Sequence, residues 1–296
     1  MKRHNVLFNK LNTTAMKPID LSQHYDNIVR AAIDAGTAIL EVYATDFRVD
    51  FKQDNSPLTL ADTKANDIII KTLESTGLPY VSEETQFSAY HVRENWSRFW
   101  LVDPLDGTKE FVNRNGEFSV NIGLIENQKP VMGVIYAPVN DILYFSDENG
   151  AWKLEYAKGL VLANPGLAHL KRQASKLPLS RKTNDFTIVV SRSHLNPETT
   201  EYINKSKRHH DSIRIVSRGS SLKMCMIAEG NADVYPRFGL TSEWDTAAGH
   251  AIVLAAGGKV VQFDNRQTEL VYNNPDLQNP SFIAFSAQAK DQYEAM

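Results

Sequence analysis

Asp103 and Asp106 stand three residues apart in the stretch Phe99-Trp100-Leu101-Val102-Asp103-Pro104-Leu105-Asp106-Gly107-Thr108-Lys109-Glu110-Phe111. Four apolar residues lead into the pair, so both carboxylates sit at the C-terminal mouth of a buried strand. Pro104 has no N–H and cannot continue a central ladder. Gly107 lets the backbone turn tightly, and Thr108 is placed to cap the helix that follows. Two carboxylates beside free backbone N–H groups make a place where a hard cation and a phosphate can meet. Alone, an Asp-x-x-Asp turn is more often an acidic surface turn. The apolar strand that feeds it, and acids elsewhere in the chain, favour the chemical reading.

Those acids are Glu83, at the end of the short apolar run Leu78-Pro79-Tyr80-Val81, and Asp245, which follows Trp244 at the start of a helix. Each has a plain alternative: Glu83 with Glu84 as a surface charge pair, Asp245 as an ordinary helix cap. Four carboxylates gathered in one cleft would repel and raise one another's pKa values. Such a cluster is tolerable only with cations in it. Hard oxygen ligands without cysteine or clustered histidine select magnesium or manganese over zinc. Two such ions can hold a phosphate, make a hydroxide from water and stabilise the leaving oxygen. The chemistry is metal-assisted phosphate ester hydrolysis, with no covalent enzyme intermediate.

The elements that must position these residues follow from pattern. Tyr25, Ile28, Ala32, Ala35, Ile39 and Val42 recur at helical spacing, and Asp20 or Ser22 is placed to cap that helix. Residues 47–51 alternate as a strand, and Asn55, Ser56 and Pro57 mark a loop. Thr59 or Asp62 starts a helix closed by Gly77, with Asp62 read as a helix-start residue favoured by the dipole. Asp54 lies in the loop, where a solvated aspartate is the commoner case. Short strands at 120–124, 131–136, 142–145 and 151–154 imply antiparallel pairing and an α+β layering with large sheets.

Residues 157–184 read as a loop-rich junction, with Lys171, Arg172, Lys176, Arg181 and Lys182 on a solvated face. Beyond it, Phe186 to Val190 is a strand running into Ser191-Arg192-Ser193-His194. Arg192 and His194 are either a ligand-contacting pair or exposed loop residues. A helix from Ser217-Arg218-Gly219-Ser220-Ser221-Leu222-Lys223 ends at Gly230. Ser220 or Ser221 as its N-cap would aim N–H groups at an anion, with Lys223 one turn in; the alternative is a cap with no ligand. Arg237 ends a further strand and reads equally as a surface residue. Strands at 259–263 and 281–285 close the chain.

The sequence has 296 residues, a formal charge of −3, 42% hydrophobic and 23% charged residues. That is ordinary for a soluble globular protein with one large domain or two lobes. Mild acidity gives no support for nucleic-acid binding. One cysteine, Cys225, excludes an intrachain disulfide and fits a reducing, cytoplasmic compartment. No apolar run approaches the length of a membrane span, though peripheral contact with the inner membrane face is left open. Residues 1–15 read as an unstructured extension, with Met16 as an alternative start. Residues 16–184 read as a first lobe carrying the metal chemistry, and residues 185–296 as a second lobe.

Asp103-Pro104-Leu105-Asp106-Gly107-Thr108, Trp244-Asp245-Thr246-Ala247-Ala248 and Ser82-Glu83-Glu84 together resemble the inositol monophosphatase superfamily of magnesium-dependent, lithium-sensitive phosphatases. The resemblance runs from about Met16 to the C-terminus. Lys52-x-Asp54-x-Ser56-Pro57-x-Thr59-x-Ala61-Asp62 and Asp106-Gly107-Thr108-Lys109-Glu110-Phe111 are most similar to the CysQ-type 3'(2'),5'-bisphosphate nucleotidases. The resemblance implies a layered αβαβα sandwich and hydrolysis of 3'-phosphoadenosine 5'-phosphate to AMP and phosphate, in support of sulfur metabolism. It implies two or three Mg²⁺ per active site. Glu83, Asp103 and the carbonyl of Leu105 would hold one; Asp103, Asp106 and Asp245 the second; Glu83 and Asp54, through water, a weaker third. Thr108, oriented by Asp54, would position and help deprotonate the attacking water. The N–H groups of Gly107 and Thr108 would bind the scissile phosphate. Ser191, Arg192, His194, Ser220, Lys223 and Arg237 lie where the family's nucleotide contacts fall. The partner is then a small nucleotide bisphosphate, and the protein a monomer or weak homodimer. Rival readings are a sister phosphatase acting on inositol monophosphate or a sugar phosphate, and a non-catalytic binding protein on the same fold.

Overall fold

A computed structural model describes residues 22–51, 57–180, 185–193 and 196–290. The apolar stripe of the first helix, α1 (Ser22–Tyr43), is buried at Tyr25, Ile28, Ala32, Ala35, Ile39 and Val42. A short antiparallel pair, β1 (Val49–Phe51) and β2 (Pro57–Thr59), leads into α2 (Leu60–Glu74). Thr59 is the N-cap of α2, in a reciprocal capping box with Asp62. α1 and α2 pack on each other and on one face of the first large sheet.

That sheet contains β3 (Tyr80–Ser82), β4 (Arg98–Asp106), β5 (Ser119–Glu126), β6 (Lys129–Ala137), β7 (Ile142–Asp147), β8 (Gly150–Glu155) and β9 (Ser175–Lys176), side by side in that order. Only the β3–β4 pair is parallel. Between these strands lie α3 (Tyr90–Arg93), α4 (Thr108–Val112), α5 (Ala157–Ala163) and α6 (Leu167–Gln173). The region expected to be a loop-rich junction therefore holds α5, α6 and the edge strand β9. The Tyr156 and Gly166 N-caps make no side-chain cap bond, so the usual start signals are missing. Lys171 is not simply solvated: it pairs with Asp147 and lies 4.2 Å from the centre of the Trp152 ring. Arg181 and Lys182 fall outside the described residues.

The second sheet contains β10 (Phe186–Ser191), β11 (Ile213–Arg218), β12 (Val234–Arg237), β13 (Lys259–Gln262) and β14 (Phe282–Phe285), in the order β11-β10-β12-β14-β13. Its helices are α7 (Pro197–Ser206), α8 (Leu222–Glu229) and α9 (Glu243–Ala255). Asn196 caps α7, and Gly230 ends α8 in a left-handed conformation. α8 and α9 fill the space between the two sheets, and α7 covers the outer face. The layers therefore run α, β, α, β, α, as expected. α9 lies almost on the backbone of the first sheet. A Cβ at Gly133 would come 2.2 Å from the carbonyl oxygen of Ala248, and one at Gly123 would come 2.8 Å from the Cβ of Ala247. This close approach of small residues brings the start of α9 over the end of β4.

Candidate active site

β4 is apolar on both faces because both are covered. Trp100 and Val102 enter the core beneath α1 and α2, while Phe99 and Leu101 pack with Ala247 of α9. Asp103 is the last residue in regular register, opposite Asn121; the register then shifts before Asp106. The shift falls at Pro104, which cannot donate to the ladder. Asp103 is buried, and its carboxylate accepts the Leu105 N–H at 3.1 Å. Gly107 follows at φ +90°, a left-handed turn that favours glycine. Gly107, not Thr108, is the N-cap residue of α4, so the expected threonine cap is not formed. The Thr108 hydroxyl lies instead 3.2 Å from the Leu105 carbonyl oxygen and 3.3 Å from Asp62 Oδ1.

Glu83 arrives because β3 runs parallel to β4, and its N–H donates to the Val102 carbonyl at 3.1 Å. Asp245 arrives on the first turn of α9, where its Oδ2 accepts the Ser242 N–H at 2.9 Å. Ligand-capable oxygens of Glu83, Asp103 and Asp245 lie within 4.8 Å of one another. Burial pushes the Asp103 carboxyl well above the usual range, and the charges of Glu83, Asp106 and Asp245 push it further. Burial, then Asp106 and Glu83, raise Asp245 to about 8, against the opposing pull of the Ser242 N–H. Among the described residues, the groups around Asp103 and Asp245 thus leave both carboxyls under-compensated. An all-oxygen donor set short of positive charge fits a hard divalent cation.

Asp106 is anchored separately. Its Oδ2 accepts from Ser220 Oγ at 2.9 Å, Ser221 Oγ at 2.8 Å and Asn121 Nδ2 at 3.3 Å. Ser221 is the N-cap residue of α8 but makes no side-chain cap bond, and Ser220 sits at φ +53°. Both hydroxyls therefore turn to Asp106 rather than to the helix start, which corrects the expected capping role.

One cavity of about 270 Å³ is lined by Glu83, Asp103, Leu105, Asp106, Gly107, Thr108 and Asp245, and also by Ser191, Ser220, Lys223 and Arg237. Lys223 is buried, donates to the Ser220 carbonyl and lies 5.5 Å from the Tyr235 ring centre. Burial lowers its pKa to about 8, with Asp106 acting in the opposite direction. It is therefore within electrostatic reach of the acids, not in a separate compartment. Arg237 donates to the Leu240 carbonyl at 2.9 Å, while its buried Nε has no partner among the described residues. Arg192 does not line the cavity. It forks onto Glu117 at 2.7 and 2.8 Å, and Glu117 also accepts the Gly219 N–H at 2.7 Å. Burial opposes ionisation of Glu117, yet the Arg192 and Gly219 bonds hold its carboxyl below the ordinary value. Asp54 and His194 lie outside the described residues.

A model of the inositol monophosphatase family matches residues 20–295. The chain belongs to the inositol monophosphatase family. It is 43% identical to the 3'(2'),5'-bisphosphate nucleotidase CysQ of Salmonella typhimurium, over 87% of this chain and 97% of that one. A crystal structure of CysQ from Bacteroides thetaiotaomicron is 46% identical, covers 91% of this chain and 98% of its own, and superposes with a TM-score of 0.82. The more distant Thermotoga maritima IMPase, 21% identical at a TM-score of 0.69, shares the fold. Family membership implies a divalent metal cofactor.

In this inositol monophosphatase family member, sequence pattern alone missed Asp62 as a site residue. Among the described residues, the carboxylate that meets Thr108 is Asp62, whose other oxygen accepts both the N–H and the hydroxyl of Thr59 at 2.7 Å. Its helix-start reading is therefore right but incomplete. Asn121 and Glu117 were also missed, since each acts through contacts distant in sequence. Arg192 serves here as a strut between β10 and the segment before β5. Arg192→Ala is expected to lower the melting temperature by no more than about 2 °C and to leave KM within about twofold of the parent, because the pair is half-exposed and outside the cavity. A KM rise matching that of a cavity-lining substitution would return Arg192 to the binding surface.

Proposed function

We propose that this protein is a 3'(2'),5'-bisphosphate nucleotidase that removes the 3'-phosphate of 3'-phosphoadenosine 5'-phosphate, yielding AMP and phosphate, as its CysQ relatives are named for. The observation that carries the reading is one cavity holding both the acid cluster beside Thr108 and two buried cationic side chains, Lys223 and Arg237. Residues before 184 supply Glu83, Asp103, Asp106 and the Leu105 carbonyl as ligands for Mg²⁺, two or three ions in all, and residues after 185 supply Asp245. When bound, these ions neutralise the acids, polarise the phosphoryl oxygens and lower the pKa of water.

The remaining roles belong to the chain. The Thr108 hydroxyl donates to Asp62, which leaves its oxygen able to accept a proton from the attacking water. As Thr108 takes that proton, its own hydroxyl proton passes to the Asp62 carboxylate, which is the base of the relay. The Gly107 and Thr108 N–H groups face the scissile phosphate. Ser191, Ser220, Lys223 and Arg237 bind the non-reacting phosphate and the nucleoside, and the unpartnered Arg237 Nε is a donor in want of an acceptor. The single buried cysteine suits a reducing cytoplasm.

The test is phosphate release with 3'-phosphoadenosine 5'-phosphate, inositol monophosphate and a small aryl phosphate, with Mg²⁺ and with EDTA. The bisphosphate should be preferred and EDTA should stop all turnover. Lys223→Ala should lower kcat/KM for the bisphosphate at least about tenfold, the loss of one charge-assisted hydrogen bond, and should spare the aryl phosphate. Preference for inositol monophosphate by the parent enzyme would refute the nucleotide reading. Equal losses on both substrates would assign Lys223 to the acid site instead.

A further inference from the structure

We propose that Ser221 and Asn121 are positioning residues that hold Asp106 in a single orientation, with Oδ2 occupied and Oδ1 left for a divalent cation. The inference rests on Asp106 being a metal ligand, as in the function proposed above. Ser221 and Asn121 are both almost fully buried, and neither comes from the element that carries Asp106. Asn121 lies across the sheet from Asp103, yet the register shift after Asp103 brings its amide to Asp106.

Proton counting selects these two residues from the wider network. The Asn121 amide has two protons, one for Asp106 Oδ2 at 3.3 Å and one for Ser221 Oγ at 2.8 Å. Its Oδ1 faces the Ser119 hydroxyl at 3.0 Å, which fixes which way the amide points. With a lone pair of Ser221 Oγ engaged by Asn121, the Ser221 proton goes to Asp106 Oδ2 at 2.8 Å or to the Asp245 carbonyl at 3.0 Å. The carboxylate is both the nearer and the stronger acceptor. Ser220 is less dependable, because its one proton is contested between Asp106 and Ser119 Oγ. Ser221 also sits against the Asp245 backbone. One hydroxyl thus ties the end of β4 to the start of α9, the two elements whose acids must converge on a cation. Groups that orient metal ligands in this way commonly change metal affinity about 10- to 100-fold when removed.

The experiment reads metal binding directly. Mn²⁺ titrations followed by electron paramagnetic resonance, on substrate-free protein, would compare the parent with Ser221→Ala, Asn121→Ala and Asp106→Asn. Melting temperatures of the metal-free proteins would be measured alongside. Ser221→Ala and Asn121→Ala should each weaken Mn²⁺ about 10- to 100-fold, and the double variant should lose less than the product of the two. Metal-free Ser221→Ala should still fold and melt cooperatively, lowered by no more than a buried hydrogen bond costs, whereas a role in the fold alone would lower the melt and spare the Mn²⁺ affinity. Should Asn121→Ala fail to fold, Ser221→Ala decides. Parent-like Mn²⁺ affinity in folded Ser221→Ala, with affinity lost in Asp106→Asn, overturns the positioning role alone. Parent-like affinity in Asp106→Asn overturns the ligand assignment beneath it.

Discussion

Asp103→Asn and Asp245→Asn are each expected to cut turnover at least about a hundredfold and, at the same time, to raise the melting temperature of the metal-free protein. The two effects have one cause. Both carboxyls are held above their ordinary range by burial and by the acids around them, so in the absence of cations their charges oppose folding. An amide removes that repulsion and is a poor substitute as a ligand. The pH dependence has a defined sign. Asp245 titrates near 8 in the fold and at about 3.9 in an unfolded chain. A carboxyl with a raised folded pKa contributes stability that is complete below the unfolded value and is lost as pH rises through the folded one. The metal-free parent should therefore lose stability from about pH 4 to about pH 8, and Asp245→Asn should flatten that slope. Thermal melts in EDTA across this range, with phosphate release in Mg²⁺, check both halves. Near-normal turnover in either folded variant, or an unchanged slope, would sink the assignment.

What the sequence disclosed about the site depended on whether a contact was local. The strand from Phe99 to Val102, the break at Pro104 and the turn at Gly107 are properties of consecutive residues, and all stand in the fold. Asp245 was legible for the same reason, since a tryptophan and a helix-opening acid are neighbours. Asp62 was half legible. Its capping box with Thr59 accounts for one oxygen, and nothing local shows that the other meets Thr108, 46 residues away. Ser220 and Ser221 were misjudged because their position suits a cap, whereas Asp106, more than 100 residues distant, competes for both hydroxyls. Arg192 followed the same logic, for its partner Glu117 lies 75 residues back. α5 and α6 escaped notice because they lack the capping residues that announce a helix. They are held by packing beneath α1 and β8 rather than by their own propensity.

Asp62 offers the most direct test of the catalytic reading, because the same carboxylate also caps α2 and the two roles separate in one substitution. Its Oδ2 accepts from the N–H and hydroxyl of Thr59, and its Oδ1 meets the Thr108 hydroxyl. In Asp62→Asn one acceptor oxygen remains. Two donors on Thr59 compete for it against one on Thr108, so the oxygen should stay with the cap. The new amide then faces Thr108 as a donor, and the hydroxyl can no longer pass a proton toward it. The helix keeps most of a cap whose full loss costs about 0.5–2 kcal/mol, and melting should change little. Turnover should fall about 10²- to 10⁴-fold, the range for a lost general base, while KM moves little because no substrate contact is removed. Thr108→Val should fall comparably. If the two residues act as one relay, the double variant should be no slower than the worse single one. Steady-state kinetics on the two single variants and the double, each checked for folding by its melt, settle the matter. Independent losses that multiply in the double variant would separate Asp62 from Thr108 and leave the capping box as the whole of its function.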